Sequence, residues 1–253
     1  MPPRYIFTSA PFGGGFFWCR IGIMSKKRTL IAIHGAGMQA DVWGALSKEI
    51  PCLPLSLPGH GKAVGHLLPS IGEMARWLEG QMKDYPLQSV VLMGHSMGAL
   101  VAMEAAKHWA VAGLVLMGAA AQLPVHADLL KQAAETPEAA AEMILKWGIS
   151  SAHPQAAEIR GSLRMHMQPM DLFNDLVACN SYHGTAAKAV QKPVLVLAGE
   201  DDKLVKFSES MALAEGFAHA RFRSFPGAGH MLMLEKPVET AQETRNFMDN
   251  LKG

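Results

Sequence analysis

Short apolar segments alternate with amphipathic segments along most of the chain. Six segments, most of them continuous apolar runs, are typical of the strands of a parallel sheet. These predicted strands are Thr29–Ile33, Cys52–Leu57, Ser89–Met93, Val111–Gly118, Pro193–Ala198 and Ala220–Phe225. The alternation of strand and helix predicts an α/β fold: a mostly parallel central sheet with right-handed crossovers and helices on both faces.

Capping residues indicate where several helices begin. Ser70 and Glu73 form a capping box, and the apolar positions between Ile71 and Met82 fall on one helical face. Asp41 is typical of the N-cap of a short helix that runs through Glu49. Three more helices are predicted: Ala139–Trp147, with Thr136 as N-cap, Pro137 at N1 and Gly148 at C′, then Pro169–Asn180 and Pro237–Leu251.

The strand–helix alternation is interrupted in the middle of the chain. Residues 122–187 are rich in Ala, Met and Leu and contain no segment typical of a strand. We therefore expect a helical cap insertion at 122–187 in a core made of residues 29–121 and 188–253. Residues 1–28 are expected to form an extension of uncertain role, either a hairpin of Tyr5–Ser9 with Phe16–Ile23 or a stretch before a start at Met24.

Composition excludes several classes of protein. Apolar residues make up 49% and charged residues 18% of the 253 residues, and the formal net charge is +1, so neither disorder nor nucleic-acid binding is indicated. No stretch approaches the ~20 apolar residues of a membrane span, and the glycines among residues 1–24 argue against a signal peptide. Three scattered cysteines indicate a reducing compartment, so a cytoplasmic location is expected.

The segment Gly94-His95-Ser96-Met97-Gly98 is the main candidate for chemistry. It follows a predicted buried strand and leads into the apolar helix from Ala99, which is the context of a nucleophile elbow. Glycines are needed at both ends because the tight turn brings strand and helix backbones together. The first N–H groups of the helix favour negative charge beside the serine.

A serine hydroxyl needs a base in contact with it, and that base must be oriented by a carboxylate. Asp202 follows the strand Pro193–Ala198, and His230 follows Ala220–Phe225. The carboxyl ends of parallel strands meet at one edge of a sheet, so Ser96, Asp202 and His230 can converge there. Asp201 is an alternative for the acid, and the three-residue step from Gly199 favours Asp202.

These motifs resemble the α/β-hydrolase fold family, in a small, cap-bearing, serine esterase-like form. The resemblance covers nearly everything after residue 28 and rests on these motifs in order: His34-Gly35-Ala36-Gly37, Leu57-Pro58-Gly59-His60-Gly61, Gly94 to Gly98, Gly199-Glu200-Asp201-Asp202 and Gly229-His230 with Glu235 and Pro237. It implies Ser96 as nucleophile, Asp202 as acid and His230 as base. It also implies an oxyanion hole made by the backbone N–H groups of Ala36 and Met97.

Candidate substrate-binding residues are apolar or aromatic and lie in the insertion or beside the motifs. They are His34, Met143, Trp147, Met170, Phe173 and Met231, and ordinary packing is an equal explanation for most of them. His34 is also expected to brace the oxyanion loop, and His95 to be a packed neighbour of the nucleophile. His60 and His66 lack the spacing of metal ligands, so no metal site and no cofactor are predicted.

A serine at the elbow excludes the branches of the family that use an aspartate nucleophile. Serine, base and oxyanion hole together predict a carboxylesterase that cleaves small to medium esters through an acyl-enzyme, with water as second substrate. A carbon–carbon hydrolase of the meta-cleavage-product type, with Arg160 and Arg164 as the possible carboxylate ligands, remains an alternative. A thioesterase and a non-catalytic ligand-binding protein also stay open. The oligomeric state is not predicted.

Overall fold

The structure, a computed structural model, describes residues 28–184 and 186–251 and contains one six-stranded sheet. The predicted N-terminal hairpin lies outside the described residues. The strands are β1 (Thr29–Ile33), β2 (Leu53–Leu55), β3 (Val90–His95), β4 (Val111–Met117), β5 (Val194–Gly199) and β6 (Ala220–Phe225). They are parallel throughout, in the order β2-β1-β3-β4-β5-β6. The predicted α/β class with a parallel sheet is confirmed.

The helices cover both faces of this sheet. In chain order they are α1 (Gly44–Glu49), α2 (Ile71–Gln81), α3 (Met97–Ala105), α4 (Ala127–Glu135), α5 (Pro137–Gly148), α6 (Ala156–His166), α7 (Pro169–Asn180), α8 (Ala186–Ala189), α9 (Phe207–Glu215), α10 (Leu232–Glu235) and α11 (Pro237–Asp249). Helices α4 to α7, here called the insertion helices, lie between β4 and β5 in the chain. They fall within the segment for which a cap was predicted.

Alternate residues of the central strands face opposite sides, and each side has its own apolar core. On β1, Leu30 belongs to the core that also contains Leu46 of α1 and Phe247 of α11. Its neighbour Ile31 belongs to the core shared with Leu78 of α2. Strands β1, β3, β4 and β5 are almost wholly buried, whereas the edge strands β2 and β6 are partly exposed. Continuous apolar runs are expected of strands covered on both faces.

Several predicted helix ends are corrected by the structure. Asp41 lies inside a 3₁₀ turn, Ala40–Trp43, rather than at an N-cap, and no side chain caps that turn. Gly148 is the last residue of α5 rather than its C′ residue, because its carbonyl accepts a hydrogen bond from the N–H of His230 at 2.8 Å. Ser70 is confirmed as the N-cap of α2, since its Oγ accepts from the N–H of Glu73, whereas the Glu73 carboxylate lies 3.7 Å from the Arg76 guanidinium.

Candidate active site

Ser96 occupies a strained turn between β3 and α3. Its φ is 52° and its ψ is −118°, values that a non-glycine residue rarely adopts. A Cβ on Gly94 would lie 2.6 Å from Cα of Ala99, and a Cβ on Gly98 would lie 2.6 Å from the carbonyl oxygen of His34. The two glycines are therefore required by close backbone approach, as the elbow interpretation expects.

His230 and Asp202 form a buried pair after the last two strands. Nδ1 of His230 lies 2.7 Å from Oδ2 of Asp202, and both side chains are almost inaccessible to solvent. The other carboxylate oxygen of Asp202 accepts the N–H groups of Leu204 and Val205 at 2.8 and 2.9 Å. With both oxygens engaged, the carboxylate is fixed in place and holds the imidazole by one nitrogen.

Asp201, the alternative acid, faces a different partner. Ser150 Oγ donates a 2.6 Å hydrogen bond to its carboxylate. No hydrogen bond joins Asp201 to His230 in the described part of the chain. The two neighbouring aspartates therefore serve different elements: Asp202 holds His230, and Asp201 anchors the residues that follow α5.

The ring of His230 is packed on two sides. A Cβ on Gly118 would come within 2.7 Å of its Nδ1, so the end of β4, where Gly118 has a φ of 53°, passes directly against the ring. The ring of His95 lies 4.6 Å away between centroids, and its Nε2 faces the carbonyl oxygen of His230 at 3.2 Å. Because Asp202 contacts Nδ1 of this ring, Nε2 is the nitrogen that could act as the base.

Burial keeps two neighbouring histidines neutral. Desolvation and the nearby charge of His60 lower the pKa of His34 to about 4. Desolvation, with His230 nearby, also lowers the pKa of His95 well below its ordinary value. The neutral ring of His34 accepts the N–H of Leu57 at its Nε2, 3.1 Å away. His34 therefore ties the loop after β1 to the loop after β2, which is the bracing role expected from the sequence.

The two candidate oxyanion donors belong to α3 and to the loop after β1. Met97 is the first residue of α3, so its N–H has no acceptor within the helix. Ala36 follows Gly35, where a Cβ would lie 3.2 Å from Cβ of Ser96. The backbone of this loop, here called the oxyanion loop (residues 35–38), thus passes beside the serine.

Glu235 is a residue of the site whose contacts the sequence did not reveal. Its carboxylate is 4% exposed and accepts N–H groups from Gly229 and Ser150, each at 2.9 Å, and from Met231 at 3.1 Å. Two of these donors flank His230. Glu235 therefore fixes the loop that carries the candidate base. The spacing from His230 to Glu235, already part of the family resemblance, was the available signal.

A cavity of about 600 Å³ opens at the carboxyl edge of the sheet and includes both Ser96 and His230. Its walls are mainly apolar, and the insertion helices α4, α5 and α7 contribute to them. Contributors include Leu129 of α4, Ile144 and Trp147 of α5, and Leu176 and Cys179 of α7. Ala36 and Met231 also line it. Burial raises the pKa of the Cys179 thiol, which keeps it in the un-ionised form.

Four of the six predicted substrate-binding residues do not line this cavity, whereas Trp147 and Met231 do. His34 is fully buried behind the oxyanion loop, and Met143 is only half-buried outside the lining. Met170 and Phe173 are 74% and 42% exposed because they occupy the solvent face of α7. The lining of this cavity therefore gives those four predictions no support.

The described residues contain neither a metal-holding cluster nor a membrane-spanning helix. Within residues 28–184 and 186–251, His, Cys, Asp and Glu form no group of three or more that could hold a metal ion. No helix in the same ranges is long and apolar enough to cross a bilayer. His60 is fully buried, and its Nε2 lies 2.8 Å from Oδ2 of Asp175.

Comparison with known proteins identifies relatives along nearly the whole described chain. A sequence model of the alpha/beta hydrolase family matches residues 30–243. The chain is 27% identical to a pimeloyl-[acyl-carrier protein] methyl ester esterase from Aromatoleum aromaticum, over 85% of this chain and 96% of that protein. It is 25% identical to a 2-succinyl-6-hydroxy-2,4-cyclohexadiene-1-carboxylate synthase from Serratia proteamaculans, over 87% of this chain and 93% of that protein.

Solved structures give the same picture of the fold. A thermophilic esterase superimposes with a TM-score of 0.77 and 26% identity, covering 88% of this chain and 90% of its own. The enol-lactonase from Burkholderia xenovorans has the same TM-score of 0.77 at 21% identity, covering 88% and 92% of the two chains. At that identity the second likeness concerns the fold alone.

Proposed function

The chain belongs to the alpha/beta hydrolase family, and from that premise we propose that it is a serine hydrolase that cleaves carboxylic esters of small to medium size. The observation that carries the proposal is the His230–Asp202 pair, 2.7 Å apart, with His230 opening into the same cavity as Ser96. A strained serine, an oriented imidazole and two backbone donors are the parts that acyl transfer requires.

In the proposed mechanism, Asp202 holds Nδ1 of His230, so Nε2 takes the proton from the Ser96 hydroxyl. The serine oxygen attacks the ester carbonyl, and the N–H groups of Ala36 and Met97 stabilise the negative oxygen of the tetrahedral intermediate. The imidazolium then gives its proton to the departing alcohol, which leaves an acyl-enzyme on Ser96. Water, deprotonated by His230, releases the acid in the second half of the cycle.

We assign the insertion helices the role of a cap over this centre. They supply apolar side chains to a cavity of about 600 Å³, a size that suits a small or medium acyl chain. Trp147, Ile144 and Leu176 are the residues that would set the length of chain accepted. Burial of the ester beneath them would also exclude bulk water during acylation.

The cavity weakens the carbon–carbon hydrolase alternative. Arg160 and Arg164, the predicted carboxylate ligands, are not among its lining residues, and Arg164 instead pairs with Glu142 at the surface. Lys203 and Lys206 do line the cavity, and neither forms an ion pair within the described residues. This favours, as a second candidate, an ester or thioester whose acyl or alcohol part carries an anionic group.

The test is turnover of p-nitrophenyl esters from acetate to laurate by wild type, Ser96→Ala and a control, Ser47→Ala, which alters a serine outside the cavity. We expect the Ser96→Ala rate to fall by about 10⁵-fold or more, because the nucleophile is lost, while Ser47→Ala keeps the wild-type rate. The acyl chain length that is hydrolysed fastest indicates how long a chain the cavity accommodates. Equal turnover by wild type and Ser96→Ala contradicts the proposal, and so does a folded wild type that hydrolyses no ester or thioester.

A further inference from the structure

The carboxylate of Asp175 is completely buried on α7, outside the hydrogen bonds that hold His230. Its Oδ2 accepts the N–H of Gly37 at 2.8 Å and lies 2.8 Å from Nε2 of His60. Its Oδ1 accepts a longer bond, 3.4 Å, from Nδ2 of Asn174. Burying a carboxylate costs free energy unless it is paired and hydrogen-bonded. The fold is therefore favoured when α7, the loop that carries Gly37 and the loop that carries His60 stay in contact.

Gly37 belongs to the oxyanion loop and directly follows Ala36. Both of its polar backbone atoms are engaged by the insertion: Asp175 accepts its N–H, and its carbonyl oxygen accepts the N–H of Gln168 at 2.7 Å. Its φ is 64°, and a Cβ there would lie 3.0 Å from Cδ1 of Leu172. Helix α7 is therefore packed and hydrogen-bonded directly onto this loop.

His60 supplies the opposite charge. Its Nε2 faces Asp175, and its Nδ1 faces the carbonyl oxygen of Pro58 at 3.2 Å, so both ring nitrogens face an acceptor, as a protonated imidazole requires. Burial lowers the pKa of His60, but the hydrogen bond and charge of Asp175, with smaller contributions from Pro58 and Asp171, raise it above the ordinary value. The ring of His34, 4.8 Å away, stays neutral.

We propose that Asp175 is a positioning residue for catalysis: by holding Gly37 from the insertion, with His60 as its charge partner, it aims the Ala36 N–H at the substrate's developing oxyanion. The proposal rests on the ester hydrolysis inferred above and adds a role for the insertion in the chemical step. Oxyanion donors act only within about 2.7–3.1 Å of the oxygen. A small shift of the loop should therefore reduce the stabilisation of the transition state more than the binding of the substrate.

The test compares Asp175→Asn and Asp175→Ala with Asp171→Asn and Asp171→Ala, which alter a half-buried carboxylate one turn earlier on α7. We expect kcat for a p-nitrophenyl ester to fall about tenfold in Asp175→Asn and about 10²-fold or more in Asp175→Ala. KM should change less than about threefold in both. The Asp171 variants should stay within about twofold of wild type. Asp175→Asn keeps the side-chain shape and carries the test where Asp175→Ala does not fold.

A second readout follows the loop without using activity. Amide hydrogen exchange over residues 35–40 should accelerate at least tenfold in Asp175→Ala or Asp175→Asn and stay unchanged in the Asp171 variants. Wild-type kcat in a folded Asp175 variant overturns the proposal, as does unchanged exchange over the loop. A change in KM alone overturns it too. Absence of ester turnover in wild type would instead be a failure of the proposed function, and the exchange measurement would still decide whether Asp175 holds the loop.

Discussion

The two sides of Ser96 are held in place by different parts of the chain. On the base side, Asp202 contacts His230 across 28 residues of sequence, and Glu235 contacts Gly229 across only six. On the oxyanion side, Asp175 reaches Gly37 across 138 residues and comes from an insertion helix. The base side is thus built mainly by the loops after the last two strands, with the end of α5 adding hydrogen bonds to His230 and Glu235, whereas the oxyanion side depends on α7. Changes in α7 should therefore reach the chemistry through the oxyanion loop.

The largest effect is expected on the base side, in Asp202→Asn. The amide cannot hold His230 in the required tautomer, so kcat should fall about 10⁴-fold with little change in fold. Asp201→Asn is the matched control, since Asp201 bonds to Ser150, and it should keep kcat within a few-fold of wild type. Steady-state kinetics of both variants decide the point, and a larger loss in Asp201→Asn would reverse the assignment of the acid.

The oxyanion side should be the source of a loss of stability in acid. The pKa of His34 is lowered to about 4 in the folded protein, whereas the same side chain titrates near 6.5 in the unfolded chain. Between these two pH values the unfolded chain therefore binds a proton that the folded chain does not bind. The stabilisation is complete above pH 6.5 and is lost as the pH falls toward 4. Between pH 7 and pH 4.5, wild type should lose about 2–3 kcal/mol more in free energy of unfolding than His34→Gln does.

Urea denaturation at the two pH values measures this difference. His66→Gln, which changes an exposed histidine of the next loop, is the control and should lose as much stability as wild type. If His34→Gln loses as much as wild type too, His34 is not held neutral, and the link between the loops after β1 and β2 has to be revised.

A smaller effect is expected from Glu235→Gln. The carboxylate serves three buried N–H groups, and the amide nitrogen of Gln cannot accept, so at least one donor is left unpaired. The free energy of unfolding should fall by about 1–2 kcal/mol, measured by urea denaturation. Glu239→Gln, on the exposed first turn of α11, should change it by less than about 0.5 kcal/mol. Equal losses in the two variants would show that Glu235 does not hold the base loop.

The base side was more predictable from the sequence than the oxyanion side for a physical reason. Asp202 and His230 each follow a strand of the parallel sheet, so strand order alone brings them to one edge. Asp175 has no such marker, because a single aspartate in an amphipathic helix is indistinguishable from a solvated one until the helix is docked. The sequence around His60 gives no sign of its partner, which lies 115 residues away.

Helix orientation explains the remaining differences. The sequence predicts α7 at Pro169–Asn180, and the structure has the same bounds. It does not say which face meets the cavity, so Met170 and Phe173 were predicted as lining residues while Leu176 and Cys179 occupy that place. Gly148 is predicted as the C′ residue of α5, but the structure makes it the last helical residue, where a Cβ would lie 3.0 Å from Cε of Met231.

The most direct test of the central claim is to capture the acyl-enzyme. Wild type is mixed with excess p-nitrophenyl ester, quenched in acid within the first turnovers, digested and examined by mass spectrometry. The account predicts an added acyl mass on the peptide that contains Ser96, and no such adduct in Ser96→Ala. Ester turnover with the acyl group on another residue would contradict it. Ester turnover in which Ser96 stays unmodified in both wild type and Asp202→Asn would contradict it as well.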